Sequence, residues 1–172
     1  MLDAHVVKKR RAFVVDARLR LQAGDSLALF GPSGAGKSTI LSCIAGLETP
    51  DGGEIRLGGA RLFPPSLPLY LRPLAYMSQR DSLFPHLSVA ENVRFGVRDH
   101  WRNGASGWLD ELKTRLDLGP LWTQSARRLS GGQARRVALA RMLARKPPLV
   151  LLDEPFSGLD RAAIGDLAET LI

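Results

Sequence analysis

The chain has 172 residues, of which 45% are hydrophobic and 24% charged, so it is long enough to bury the core of one globular domain. No apolar run approaches the ~18 residues that a helix needs to span a bilayer, and the sequence therefore predicts no membrane-spanning segment. The net charge of +7 raises the question of a nucleic-acid surface, but an aromatic content of 6% without aromatic–basic interleaving favours a solvated basic face near an anionic partner.

The N-terminal half alternates short apolar segments with turns. The pattern predicts a strand over Val14–Leu21 and a buried strand over residues 27–30. A helix is expected over residues 40–45, ending at Gly46, and a short strand over residues 54–57. Cys43 is the only cysteine of the chain, which excludes an internal disulfide and favours a reducing compartment.

The C-terminal half has a helical period enclosed by two strands. Prolines between residues 61 and 73 predict a loop, and a strand over residues 74–78 follows it. Apolar residues at helical spacing then predict three helices, near residues 88–97, 108–116 and 130–145, before a fully apolar strand at residues 149–152. We therefore expect one α/β domain over residues 1–172, with a helical subdomain at about residues 85–146.

A glycine-rich loop matches the phosphate-binding pattern G-x-x-x-x-G-K-[ST] at every fixed position. Glycines allow successive main-chain N–H groups to surround phosphate oxygens, and the N-terminus of the following helix adds partial positive charge. Lys37 is expected to reach the β- and γ-phosphates and Ser38 to ligate Mg²⁺. An ordinary glycine-rich turn before a helix is the alternative. The residues of this loop are Gly31, Pro32, Ser33, Gly34, Ala35, Gly36, Lys37, Ser38 and Thr39.

Two carboxylates follow the apolar strand at residues 149–152. Ligands of open α/β sheets bind at the carboxyl ends of strands, so Asp153 and Glu154 are candidates for chemistry. Asp153 could hold Mg²⁺ through water, and Glu154 could act as general base on an attacking water. The alternative is an acidic helix start after a strand.

The segment Leu129-Ser130-Gly131-Gly132-Gln133 carries two compatible interpretations. Ser130 and Gln133 have the spacing of a capping box at a helix start. Gly131 and Gly132 are unfavourable in a first helical turn by roughly 1 kcal/mol each, and close approach of an anion to bare main-chain N–H groups would justify them.

Together these motifs resemble the nucleotide-binding subunit of ATP-binding cassette (ABC) transporters over nearly the whole chain. The resemblance identifies residues 31–39 as the Walker A loop and residues 129–133 as the signature loop. It assigns Asp153 to Walker B and Glu154 to the catalytic base. Residues 82–92 are similar to the corresponding segment of bacterial importers of molybdate, sulfate, thiamine, iron or polyamines.

The resemblance implies a cassette of the P-loop NTPase class, with a mostly parallel core sheet, an N-terminal β portion and a helical subdomain. Gln79 would contact Mg²⁺ and the attacking water, and Asp160 would lie in the D-loop at a dimer interface. Two subunits would associate head to tail around two ATP molecules and drive transmembrane permease subunits. The chain would lie on the cytoplasmic face of the plasma membrane, touch the membrane only through the permease and bind no nucleic acid.

Two departures from the family pattern affect the site. The family stacks adenine on an aromatic residue upstream of Walker A, and only Phe13 is available in that region. The family also has a histidine beyond the D-loop that contacts the γ-phosphate, whereas the histidines here are His5, His86 and His100. We therefore expect the C-terminal part of the cassette to be missing and this chain alone to be inactive.

Two other function classes remain open at this stage. A non-transport cassette ATPase of DNA repair, chromosome structure or translation would share the motifs, although such families insert coiled coils, zinc-ligating cysteines or tandem cassettes. A small-molecule kinase would share the phosphate loop but not the segment at residues 129–133. A catalytically inactive fragment is a further possibility.

Overall fold

The computed structural model describes residues 1–78, 83–97 and 106–155. The chain divides into two compact units, Met1–Leu74 and Ala75–Ile172. Among the described residues, no helix has both the length and the apolar character to cross a membrane. Gln79, His100 and Asp160 lie outside the described residues.

The first unit is an antiparallel sheet with one helix. Its strands are β1 (Leu2–Lys9), β2 (Val14–Leu21), β3 (Gly52–Leu57) and β4 (Ala60–Phe63), in the spatial order β2-β1-β3-β4. Helix α1 (Lys37–Ala45) contacts β1 and β2. The predicted strand at Val14–Leu21 is confirmed, and so is the predicted stop of α1 at Gly46.

Strand β1 is absent from the sequence-based prediction, although it pairs with both β2 and β3. Its alternation is clear in the structure, where Leu2, Ala4 and Val6 are buried and the residues between them are half-buried. This period of two is the signal of a strand with one face on a core. The charged run that begins at Lys8 interrupts this alternation and masks the strand in the sequence.

Two element predictions in the first unit are wrong. Residues 27–30 form no strand, and Leu27 and Phe30 are 50% and 93% exposed. An apolar run becomes a strand only when a neighbouring strand takes up its main-chain hydrogen bonds, and no described strand pairs with this one. The predicted loop at residues 61–73 begins within β4, because the turn at Gly58 and Gly59 returns the chain onto β3.

The described residues of the second unit form a parallel strand pair and three α-helices. Strand β5 (Ala75–Met77) pairs in parallel with β6 (Val150–Leu152). The helices are α2 (Val89–Phe95), α3 (Ser106–Arg115) and α4 (Gly131–Leu143). Apolar side chains of β5 and the three helices form one buried cluster around Val93, Leu112 and Leu139, and Val150 and Leu152 of β6 pack against it. All three predicted helices and both predicted strands of this half are therefore confirmed.

Local sequence signals explain where these helices begin. Ser88 and Glu91 form a capping box before α2, with the Ser88 Oγ accepting from the Glu91 N–H. The capping box predicted for Ser130 and Gln133 is present before α4. Glu111 and Arg115 form the expected ion pair on α3, at 2.7 Å between carboxylate and guanidinium.

Candidate functional site

The phosphate-loop motif occupies the turn that leads into α1. Gly36 is the N-cap of α1 and has φ of 95°. Because this conformation is strained for a residue with a Cβ, glycine is favoured there. The Lys37 Nζ donates to the carbonyl oxygens of Gly31 and Pro32, at 2.8 and 2.9 Å. The ammonium group therefore lies across the loop, whose residues 31–35 are exposed. This arrangement combines a helix N-terminus, a cation and accessible main-chain N–H groups, which suits an anionic ligand.

Phe13 lies beside this loop, as an aromatic contact to a nucleobase would require. A Cβ built on Gly36 would stand 3.6 Å from the Phe13 Cε2 and 2.6 Å from the Val15 Cγ2. The Phe13 ring remains 41% exposed, so it offers a partly open aromatic face next to the start of α1.

Much of the N-terminal basic run is engaged in ion pairs. The Arg10 guanidinium donates to the Glu48 carboxylate at 2.7 Å and to the Thr39 hydroxyl of the phosphate-loop motif at 2.9 Å. Lys8 donates to Asp51 at 3.1 Å, which raises the pKa of Lys8. The pKa of Asp51 is lowered, first by its hydrogen bond from the Lys9 N–H and then by Lys8. Sequence reasoning missed this link between Arg10 and Thr39.

The two carboxylates after β6 differ in their surroundings. Asp153 is buried, its N–H donates to the Met77 oxygen at 2.9 Å, and its Oδ2 accepts from the Tyr76 hydroxyl at 3.3 Å. Glu154 is exposed and adopts a left-handed main-chain conformation, with φ of 50°. The chain therefore turns sharply immediately after the strand, with one carboxylate held inside and the other at the surface.

The segment at residues 129–133 begins α4, where Ser130 is the N-cap. The Ser130 Oγ accepts from the Gln133 N–H at 3.3 Å, and the Gln133 Oε1 accepts from the Ser130 N–H at 2.9 Å. A Cβ built on Gly131 would meet no described atom within 4 Å, so packing within the described residues does not require this glycine. The contact of Gly131 and Gly132 with an anionic ligand stays a prediction.

Sequence reasoning missed Arg135, which joins α4 to the turn after β6. Arg135 is 5% exposed, and its guanidinium donates to the main-chain oxygens of Glu154 and Pro155. Its position could have been found, because Ala138 and Met142 follow at intervals of three and seven residues and form the buried stripe of the same helix. A charged residue on such a stripe needs hydrogen-bond partners inside the fold.

The predicted site residues thus fall in two groups, each described within its own unit. The first unit holds Phe13 and residues 31–39, and the second holds residues 130–133 with Asp153 and Glu154. Ser38 and Asp153 contribute a hydroxyl and a carboxylate oxygen, which are hard ligands of the kind that Mg²⁺ prefers. Each group on its own therefore carries donors that suit a phosphate or Mg²⁺, and their joint role stays a prediction.

Comparisons of sequence and of structure both relate this chain to ATP-binding cassette proteins. The family described as ABC transporter matches residues 14–157. The Fe(3+) ions import ATP-binding protein FbpC 2 of Pectobacterium atrosepticum is 44% identical over 166 residues, which cover 93% of this chain and 48% of that protein. The molybdenum import ATP-binding protein ModC of Thiobacillus denitrificans is 44% identical over 155 residues, which cover 87% of this chain and 42% of that protein.

Two of the solved structures that resemble this chain are ATP-binding cassettes. A dimeric post-hydrolysis ATP-binding cassette bound to ADP and Pi superposes with a TM-score of 0.79 at 27% identity, covering 99% of this chain and 81% of that one. An ATP-binding subunit of an ABC transporter gives a TM-score of 0.82 at 29% identity, covering 99% of this chain and 72% of that one. The chain spans about half the length of the curated relatives named above. The predicted cassette of the α/β P-loop class is confirmed, and the chain belongs to the ABC transporter family.

Proposed function

We propose that this chain is the ATP-binding and ATP-hydrolysing part of a membrane importer, and that it acts as a head-to-tail pair with a second ATP-binding subunit. The observation that carries the proposal is the placement of Lys37 at the first residue of α1, with its Nζ 2.8 and 2.9 Å from two loop carbonyls. A cation at a helix N-terminus, next to exposed N–H groups, is suited to bind the β- and γ-phosphates of ATP.

We assign some of the site residues to nucleotide binding and others to the hydrolysis step. Lys37 and the N–H groups of the loop would hold the phosphates, and Phe13 would contact the base. Ser38, Asp153 and Gln79 would hold Mg²⁺. Bound Mg²⁺ would neutralise charge on the phosphate oxygens. The exposed Glu154 carboxylate would orient and deprotonate the attacking water, and the buried Asp153 would supply a carboxylate oxygen to Mg²⁺.

The signature segment completes the site of the second subunit. Ser130, Gly131, Gly132 and Gln133 present a capped helix start with open space at Gly131, which suits the phosphates of ATP held by the partner. Asp160 lies at the same interface. A dimeric cassette with ADP and Pi among the similar structures supports this assembly. The import proteins among the relatives support transmembrane permease subunits as partners and a position on the cytoplasmic face of the membrane.

The experiment replaces the proposed base in a form of the protein that includes the C-terminal part of the cassette, because this chain alone is expected to be inactive. Glu154→Gln keeps the size of the side chain and removes its basicity, so ATP turnover should fall by about 100-fold or more while ATP binding is retained. The matched control is Glu111→Gln, which removes an exposed carboxylate from an ion pair on α3 and should leave turnover at the parental level. Parental turnover in Glu154→Gln would contradict the proposal.

A further inference from the structure

Arg135 is a buried cation in the interior of α4, five residues after the Ser130 cap. It lies on the same stripe as Ala138 and Met142, both of which are buried. Arginine is rarely buried unless its guanidinium satisfies particular partners. The burial of Arg135 therefore indicates that its guanidinium has such partners inside the fold.

Among the described residues, Arg135 donates to main-chain oxygens that flank the turn after β6. The Nε donates to the Pro155 oxygen at 2.7 Å, and a terminal nitrogen donates to the Glu154 oxygen. The planar guanidinium fork can hold two carbonyl oxygens in a fixed relation, which a lysine ammonium cannot do. Arg135 thus clamps two successive peptide units of one turn.

The clamped turn is the one that directs the Glu154 side chain. Glu154 has φ of 50°, a conformation that residues with a Cβ adopt at a cost and that the surroundings must hold in place. On the strand side, the Asp153 N–H is tied to the Met77 oxygen at 2.9 Å, so β6 fixes one end of the turn. On the far side, Arg135 contacts the turn at Glu154 and Pro155.

We propose that Arg135 is a positioning residue for ATP hydrolysis, which holds the main chain of Glu154 in its left-handed conformation so that the carboxylate faces the attacking water. The inference rests on the proposed function, because it presumes that Glu154 is the base. In this proposal Arg135 contacts neither nucleotide nor water, and it acts on hydrolysis through the main chain at Glu154 and Pro155. Loss of Arg135 should therefore lower kcat and leave nucleotide affinity unchanged.

The test compares Arg135→Met with Arg136→Met in the full-length natural protein. Arg136 is the next residue of α4, but its guanidinium contacts the Leu116 oxygen and the Asp117 carboxylate, each at 3.2 Å. A base displaced by about 1 Å loses about 100-fold in rate, so we expect that loss in kcat for Arg135→Met. KM and the Kd of a fluorescent ATP analogue should stay at the parental values, and Arg136→Met should keep the parental kcat.

A double variant separates positioning from a general loss of stability. If Arg135 acts only through the carboxylate, then Arg135→Met should add nothing to the loss already caused by Glu154→Gln, because residues that act as a unit are not additive. A further loss of about 100-fold in the double variant would overturn the inference, as would a parental kcat in Arg135→Met. Parental turnover in Glu154→Gln would instead remove the proposed base itself, so the two failures are distinguishable.

Arg135→Lys keeps the experiment decisive if Arg135→Met does not fold. The ammonium retains the charge and can donate to one carbonyl, but it lacks the fork. We expect an intermediate kcat, lowered by about tenfold, with parental nucleotide affinity. A parental kcat in the folded lysine variant would also overturn the inference.

Discussion

Replacing Gly46 by alanine tests the packing that ends the phosphate-loop helix. Gly46 is the C-cap of α1 and has φ of 84°, so a Cβ there is strained by about 1 kcal/mol. The added Cβ would also stand 2.4 Å from the Nε and 2.7 Å from the Cζ of Arg72. Arg72 is 1% exposed, and burial lowers the pKa of its guanidinium. Its guanidinium donates to the main-chain oxygens of Leu67, Cys43, Ile44 and Leu62.

The expected cost of Gly46→Ala follows from the displacement of Arg72. Two of its hydrogen bonds, to the oxygens of Leu67 and Ile44, are 2.6 Å long and leave little room for a shift. A lost hydrogen bond to a charged group costs about 1.5–3 kcal/mol, so the loss of one or two, added to the strain of about 1 kcal/mol, gives about 2.5–7 kcal/mol. The free energy of unfolding should fall by this amount.

Gly24→Ala is the matched control for this prediction. Gly24 has φ of 86°, and a Cβ built on it meets no described atom within 4 Å, so only the strain of about 1 kcal/mol remains. The loss of main-chain freedom in the unfolded state is the same for both substitutions and cancels in the comparison. Urea denaturation measures both free energies. A difference below about 0.5 kcal/mol between the two variants would refute the role assigned to Arg72.

Two further predictions concern a thiol and the signature segment. Burial raises the pKa of the Cys43 thiol from 9.0 to about 11, so above pH 9 the unfolded state loses its proton before the folded state does. The free energy of unfolding should therefore fall by about 2–3 kcal/mol between pH 9 and pH 11. In Cys43→Ala this fall with pH should be absent when denaturation is measured across the same range. The same fall in both proteins would contradict the prediction. Ser130→Arg should leave ATP binding by the separate subunit intact and prevent ATP-driven dimerisation in size-exclusion chromatography, because a bulky cation fills the place of the partner's phosphate. Loss of nucleotide binding in the monomer would favour a capping role alone.

The sequence alone predicted the elements that carry strong local signals. The helix start at Ser130 and the strand over Val14–Leu21 follow from capping chemistry and alternation, and both are confirmed. Residues 27–30 were predicted wrongly because an apolar run does not reveal whether a partner strand is present. β4 was missed because proline content outweighed the turn at Gly58 and Gly59, which brings the chain back onto β3.

Some features of the candidate site could likewise be predicted from the sequence, and others could not. Motif spacing placed Lys37 in the loop before the predicted helix and Asp153 directly after the predicted strand; the structure has Lys37 as the first residue of α1 and Asp153 immediately after β6. It could not find the contacts of Arg10 with Thr39 or of Arg135 with the turn at Glu154, since both join segments that are distant in sequence. Gln79 and Asp160 lie outside the described residues, so their roles stay predictions.

The most direct test of the account is the mass of the Glu154→Gln protein in the presence of ATP and Mg²⁺, measured by light scattering. If two subunits enclose ATP between the loop at Lys37 and the signature segment at Ser130, blocked hydrolysis should trap the pair, and the mass should double with ATP but not with ADP. A mass that stays unchanged while a fluorescent ATP analogue saturates the protein would contradict the account.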